Sequence, residues 1–292
     1  MTGTSDDQLV SVVLPTLNGE RYIAASIESC LAQTYGLFEL IVVDDGSTDG
    51  TVDVVRTFSD PRIRLVRLTE NVGLPAALNR GFAEARGGYL TFTSDDNLYA
   101  PEAFATMLAA LQERPEVGMV YAGQMIIDAA GSVVRPANLF PPEALAWTNP
   151  VGGCFLYRRS VAQAVGEYDP RFAMAEDAHY WLRVSRRAQI LQLPGRLYYY
   201  RLHSESLTGR GYGAYEAMRA VVRARREVLG LGSREYRRQV AAAYAEEAFA
   251  AFQRRDFGHV RRSLLRALLR DPRRLARRGV ISIARRSLTQ RA

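Results

Sequence analysis

Short apolar runs alternate with amphipathic segments through the first 125 residues, and each run ends in an abrupt polar turn. Val10 to Pro15, reading VSVVLP, has the near-continuous apolar make-up of a buried strand and gives way to Thr16, Leu17, Asn18 and Gly19. Ile23, Ile27 and Leu31 then recur at helical spacing, closed by Tyr35 and Gly36. Phe38 to Val43 reads as a second strand, stopping at Asp44, Asp45, Gly46, Ser47, Thr48 and Asp49; Thr48 or Asp49 is placed to cap the helix carrying Val52, Val55 and Phe58. Ile63 to Leu68 is a third strand, Asn71 to Gly73 a turn, and Ala76 to Arg86 a helix. Leu90 to Thr93 is a fourth strand that turns polar at Ser94, Asp95, Asp96 and Asn97, followed by a helix over 101–113 and a fifth strand at Gly118 to Tyr121. Strands and helices at this spacing predict parallel βαβ units, hence an α/β fold built on a doubly wound sheet.

Beyond Met125 the alternation lapses. Met125 to Asp128 and Val133 to Val134, with Gly131 and Ser132 between them, predict a hairpin. Residues 136–150 hold four prolines and Trp147, an irregular stretch suited to shaping a pocket. Cys154 to Tyr157 is a strand, 166–170 a turn, and Ala175 to Leu182 opens a helix with Glu176 and Asp177 in its first turn, where the helix dipole favours carboxylates. Ile190 to Leu193 and Leu197 to Tyr200 are strands, with His203 just after them. From Gly213 the pattern is helical, with Val240 to Phe252 and Val260 to Leu269 resembling a hairpin that stops at Asp271 and Pro272.

Composition narrows the class without selecting a function. With 48% hydrophobic and 24% charged residues in 292, the chain has ample core for one or two domains, which excludes a disordered or fibrous protein. The polar, acidic start predicts no signal peptide, and no apolar run approaches a membrane span. Cys30 and Cys154 lack metal-ligand spacing, so a reducing, cytoplasmic setting is expected. Every basic residue is Arg, and residues 254–292 hold 13 of them against Asp256 and Asp271, so a basic tail follows a neutral-to-acidic body. Those Arg alternate with Leu and Val and lack interleaved aromatics, which argues against nucleic acid. An interfacial membrane contact, a subunit interface and a helical cap on the core all remain open for this segment.

The chemistry sits at the strand ends. The loops at Pro15–Asn18, Asp44–Asp49 and Ser94–Asn97 all follow strands and therefore converge at one end of the sheet, where open α/β sheets bind ligands. Asp95 and Asp96 repel each other unless a positive charge compensates them, and a hard cation shared with substrate phosphates does so. A nucleotidyltransferase, or a nucleotide-binding protein without catalysis, would use the same carboxylates. Taken in order, VSVVLPTLN, ELIVVDDGSTDGT, NVGLPAALNRG, YLTFTSDDN and AEDAHYWLR resemble the inverting glycosyltransferases of family 2, which have the GT-A fold.

That resemblance covers residues 8–208, split into a nucleotide-sugar half (8–125) and an acceptor half (126–208), and leaves 209–292 as an Arg-rich helical extension. It implies a nucleoside-diphosphate sugar donor, a divalent metal (Mn²⁺ or Mg²⁺), and an acceptor hydroxyl on a carbohydrate or lipid-linked molecule in polysaccharide, cell-envelope or glycolipid synthesis. It places nucleobase and ribose contacts on Pro15, Thr16, Leu17, Asn18, Asp45 and Asp95, the metal on Asp96 with His203, and the general base on Asp177. Ser94 and Asn97 stand where the family often has acids, which implies weaker metal binding. Leu78 stands where the family often has Arg, which removes a diphosphate contact.

Overall fold

A computed structural model of the chain describes residues 5–206 and 213–272. The chain divides into two compact units, one ending at His203 and one beginning at Ser204. In the first, α1 (Ser5–Gln8), β1 (Val10–Thr16), α2 (Ile23–Leu31), β2 (Phe38–Asp44), α3 (Thr51–Arg56), β3 (Ile63–Arg67), α4 (Leu74–Glu84) and β4 (Tyr89–Phe92) form the alternating half. After them come β5 (Leu98–Tyr99), α5 (Ala103–Glu113), β6 (Val117–Ile127), β7 (Val133–Pro136), β8 (Phe155–Arg158), α6 (Arg159–Val165), α7 (Glu176–Val184) and β9 (Gln189–Arg201).

The strands form one sheet in the order β3-β2-β1-β4-β8-β6-β9-β5, with β7 paired to β6. β1 to β4 are mutually parallel, as their alternation with helices requires. Next to β4 the direction reverses: β8 enters antiparallel and separates β4 from β6. The fifth strand read from the sequence therefore does not extend the parallel run directly, and strands from both halves of the chain interleave in one sheet. β9 is a single strand where the sequence suggested two; its interruption is Gly195, in the left-handed region at φ 91°, opposite the register shifts of β6. The short strand β5 carries no periodic signal in two residues and was not anticipated.

Both faces of the parallel part are covered. Val12, Leu14, Leu40 and Val42 point to the face packed by Ile27 of α2 and Phe104 of α5. On the other face α4 lies so close that a Cβ on Gly81 would meet Val13 Cγ1 at 2.4 Å. Leu78 is fully buried on this helix, which accounts for an apolar residue at that position: its side chain belongs to the core. Cys30 and Cys154 are also fully buried, and burial pushes both thiols up to about 12, so neither acts as a thiolate.

The second unit holds α8 (Gly213–Leu229), α9 (Ser233–Gln253) and α10 (Phe257–Arg270). α9 and α10 form the hairpin expected from the sequence, turning at Arg255 (φ 59°), with Asp256 capping α10 by accepting from His259 N at 2.9 Å. Ala248, Ala251, Val260 and Leu264 pack between them. Glu247 is buried there with compensation, accepting from Arg219 and lying 2.6 Å from His259 Nε2. The expected boundary at 208/209 and the end of the Arg-rich tail, 273–292, lie outside the described residues.

Candidate active site

The sheet order reverses its growth between β1 and β4, and in open α/β sheets such a switch point is where the strand-end loops part into a crevice and ligands bind. Val13 C=O accepts from Thr93 N and Thr16 C=O accepts from Asp45 N, so Pro15 turns its donorless nitrogen to the β4 side. Pairing with β4 has ended at Val13, and no ladder bond is lost there. Beyond it Thr16 Oγ1 donates to Asp95 Oδ2 at 2.6 Å and closes the floor of the crevice. Gly19 backbone rests on this pair: an added Cβ would lie 2.2 Å from Asp95 Oδ2. Burial pushes Asp95 up to about 6 against the opposing pull of the Thr16 hydroxyl.

Pro15 is buried, whereas Leu17 and Asn18 are exposed on the crevice rim. Asn18 adopts φ 56°, and its Oδ1 accepts from Thr48 N at 2.8 Å, tying the β1 and β2 loops together. Asp45 is buried and accepts from Val72 N (2.8 Å) and Gly73 N (3.0 Å), so it also anchors the turn before α4. Asp49 accepts from Thr51 N and its hydroxyl at the start of α3, while Thr48 is spent on Asn18.

Asp96 lies at the far side of the same loop. Its Oδ2 is 2.9 Å from His203 Nε2, and its Oδ1 is buried without a hydrogen-bond partner. The His203 side chain is only 9% exposed, so it is not the solvated surface histidine that its loop position suggests. Its ring packs on Tyr22 at 4.9 Å. Asn97 faces inward: it is buried and accepts from Arg201 N at 2.8 Å. Arg201 in turn donates Nε to Asp96 C=O and stacks over Tyr22 at 4.7 Å, which fixes the loop carrying Asp96 against the end of β9. A carboxylate oxygen left unpaired in a buried position suits a hard cation such as Mg²⁺ or Mn²⁺, and the imidazole beside it favours Mn²⁺, the softer of the two.

The third element is α7. Asp177 is partly buried and accepts from Asn149 Nδ2 at 2.7 Å and Ala178 N at 2.6 Å. Neighbouring Glu176 is nine-tenths buried and its Oε2 has no hydrogen-bond partner. Burial, then the adjacent Asp177, pushes Glu176 up to about 8, and burial raises Asp177 also. The hydrogen bonds that Asp177 receives from Asn149 and Ala178 favour its charged form, whereas Glu176 Oε2 receives none. Beneath them Tyr168 stacks on Tyr180 at 4.0 Å and on Phe82 at 5.8 Å, while Phe155 packs on Trp181 at 4.5 Å and on Phe92 at 5.0 Å. This aromatic layer holds α7 on β4 and β8. The segment from Asn149 to Gly153 then links the carboxylate groups: Asn149 holds Asp177, and Gly153 lies against Tyr198, whose hydroxyl is 2.8 Å from Thr93 Oγ1.

Glu176 gives a stability test with a definite sign. The folded state keeps its proton up to about 8, while an unfolded Glu releases it near 4.5. Between those values the folded state binds more protons, so this contribution to stability declines as pH rises through that window. Glu176→Gln keeps the neutral shape at every pH. Its melting temperature relative to the unsubstituted protein is expected to rise by several degrees from pH 5 to pH 8, measured by calorimetry; a flat difference would show that Glu176 ionises normally.

Of the residues read from the sequence, Thr16 bonds Asp95, Asn18 bonds the β2 loop through Thr48, Asp45 anchors the turn before α4, and Asp96 meets His203 directly. Asn149, Gly19, Tyr22 and Arg201 escaped sequence reading. Asn149 sits in a proline-rich segment without period, and Tyr22 only precedes a helix; Gly19 alone carried a signal, as the glycine that closes a strand-end loop.

A curled mixed sheet with this switch point is an α/β fold of the GT-A type. The sequence profile described as Glycosyl transferase family 2 matches residues 11–175, and the chain belongs to that family. EpsE of Bacillus subtilis (strain 168), named a glycosyltransferase, is 33% identical over 184 residues, covering 60% of this chain and 66% of EpsE. TuaG of the same organism, named as a teichuronic acid biosynthesis glycosyltransferase, is 29% identical over 187 residues, covering 61% and 73%. The chain spans less than two thirds of the first curated relatives it matches: 66% of EpsE, and 60% and 35% of two uncharacterised glycosyltransferases from Rickettsia prowazekii and Rickettsia felis. Among solved structures, S. aureus TarS 1-349 in complex with UDP-GlcNAc has TM-score 0.65 at 19% identity, covering 95% of this chain and 90% of that one. A Pyrobaculum calidifontis mannosyltransferase in complex with GDP-Man and Mn²⁺ has TM-score 0.59 at 22% identity, covering 90% and 86%. At such identities these two show the fold.

Proposed function

We propose that the protein transfers a sugar from a nucleoside-diphosphate sugar to an acceptor hydroxyl with inversion, in the synthesis of a cell-envelope polysaccharide or glycolipid. The observation that carries this reading is the unpaired, buried Oδ1 of Asp96 beside His203, next to the Asp95 that Thr16 bonds. The nucleoside lies along the β1 and β2 loops, with Asp45 and Asp95 presenting acceptors to base and ribose and Leu17 and Asn18 forming the rim. Asp96 and His203 would hold a divalent cation. When bound, that ion neutralises charge on the departing diphosphate.

Asp177 acts on the acceptor. Its carboxylate takes the proton of the acceptor hydroxyl as that oxygen attacks the anomeric carbon; Asn149 and Ala178 N orient it. No side chain is asked to be a nucleophile, so a single displacement inverts the configuration. Glu176 stays protonated and uncharged beside the base, which spares Asp177 a second negative charge. The name of TuaG, which states teichuronic acid biosynthesis, supports the polysaccharide assignment, and the titles of the TarS and mannosyltransferase structures support a nucleotide-sugar donor and Mn²⁺.

Release of nucleoside diphosphate from a panel of UDP, GDP and dTDP sugars, with Mn²⁺ and with chelator, tests the reading. Turnover of one donor class is expected, reduced at least about ten-fold by chelator. No release from any donor, together with no nucleotide binding in calorimetry, would remove it.

A further inference from the structure

The outward face of α10 is at once apolar and basic. Its inward face is occupied, since Val260, Ser263, Leu264 and Ala267 are buried. On the opposite side Leu265 and Leu269, one turn apart, are 56% and 74% exposed, and Leu268 beside them is 38% exposed. Arg262 and Arg266 flank these leucines, Arg266 lying over the Tyr244 ring of α9 at 5.8 Å, and α10 itself contains no acidic residue. The end of the helix opens into a cleft lined by Arg234, Arg237 and Arg238 of α9, Arg270 of α10 and Leu269 itself, four arginines against the two acids Glu235 and Asp271. Charge is segregated in the same sense along the chain: residues 204–292 hold 21 Arg against 8 acidic residues, whereas 1–203 hold 17 against 23. Among the described residues no helix is long and apolar enough to cross a membrane.

An ordinary solvated helix face carries mixed charges; three exposed leucines between arginines are the composition of a helix lying in a lipid interface. Arg side chains reach outward from such a helix to headgroup phosphates while their stems lie along the acyl boundary. We propose that α10 docks this face on an anionic bilayer surface, with Leu265, Leu268 and Leu269 entering the boundary between headgroups and acyl chains and the Arg-lined cleft receiving headgroup phosphates. A second copy of the chain is a poorer occupant. Three leucines on one helix present far less than the roughly 800 Å² per partner of a stable interface, and identical basic faces repel. Nucleic acid is poorer too, since the face offers no aromatic ring for a base to stack on.

Sedimentation of the full-length protein with vesicles of phosphatidylcholine, alone or mixed with phosphatidylglycerol, tests the proposal. The protein is expected to sediment with the mixed vesicles only. Leu265→Gln with Leu269→Gln should weaken that binding by about ten-fold or more. Arg234→Gln with Arg262→Gln should weaken it by roughly five-fold per charge and blunt its salt dependence. Circular dichroism, thermal unfolding and nucleotide binding should not change in either pair, because neither pair touches the crevice or the buried face of α10. Equal binding to neutral vesicles, or unchanged binding of the leucine pair, would overturn the proposal. So would a dimer that the leucine pair dissolves without any vesicle binding, or binding of short RNA in place of vesicles.

Discussion

Asp177→Asn is expected to abolish sugar transfer while leaving the affinity for the nucleotide sugar within about two-fold. The substitution is nearly isosteric, so Asn149 Nδ2 loses a charged acceptor but the α7 backbone and the aromatic layer beneath it stay in place. What disappears is the proton acceptor, and general-base removal costs about 10²- to 10⁴-fold in turnover. Single-turnover transfer and donor-binding calorimetry on the same preparation separate the two effects. A loss of affinity with turnover intact would assign Asp177 to donor binding. The unsubstituted enzyme should lose turnover as pH falls through the raised value of Asp177, since protonation silences the base. Glu176→Gln should leave that limb where it is, because Glu176, pushed up to about 8, already carries no charge on the acid side of neutrality.

The second large effect falls on Asp96. Asp96→Asn retains the hydrogen-bonding size of the side chain but replaces the unpaired carboxylate oxygen by a neutral amide. Mn²⁺ binding, followed by the electron paramagnetic resonance of the free ion, should weaken at least about ten-fold, and turnover should fall with it. His203→Ala is expected to do less, since it leaves the negative charge in place. Asn97 provides the control. It is buried and serves Arg201 N, so Asn97→Asp, which adds a carboxylate at a position often acidic in the family, should destabilise the loop without tightening metal binding. Equal Mn²⁺ affinity in Asp96→Asn and the unsubstituted protein would place the ion elsewhere.

Much of the architecture was readable because parallel strands buried on both faces write themselves as unbroken apolar runs, and α2, α4 and α5 show their period plainly. VSVVLP and FELIVV could hardly be anything but neighbouring buried strands, and the loops after them had to meet at one edge. The second half was less legible for a physical reason. β8 is four residues long and enters between β4 and β6, both of which lie farther back along the chain than a hairpin reaches, and no local signal encodes such a pairing. His203 shows the same limit on the scale of one side chain: as a residue in a polar loop it reads as solvated, and only the packing of Tyr22 and the hold of Arg201 on the Asp96 loop bury it.

The amino-acid order alone determined the alternation of strands and helices, the convergence of Thr16, Asp45, Asp95 and Asp96 at one sheet edge, and the pairing of Glu176 with Asp177 on one helical turn, because all of these follow from local period and chain direction. The tertiary structure alone decided which carboxylate oxygens are left without partners, that burial raises both Glu176 and Asp177, and that Leu78 and Asn97 serve the interior. Those properties depend on burial and on partners distant in sequence, such as Asn149 for Asp177 and Arg201 for Asn97, and desolvation is a property of the packed whole.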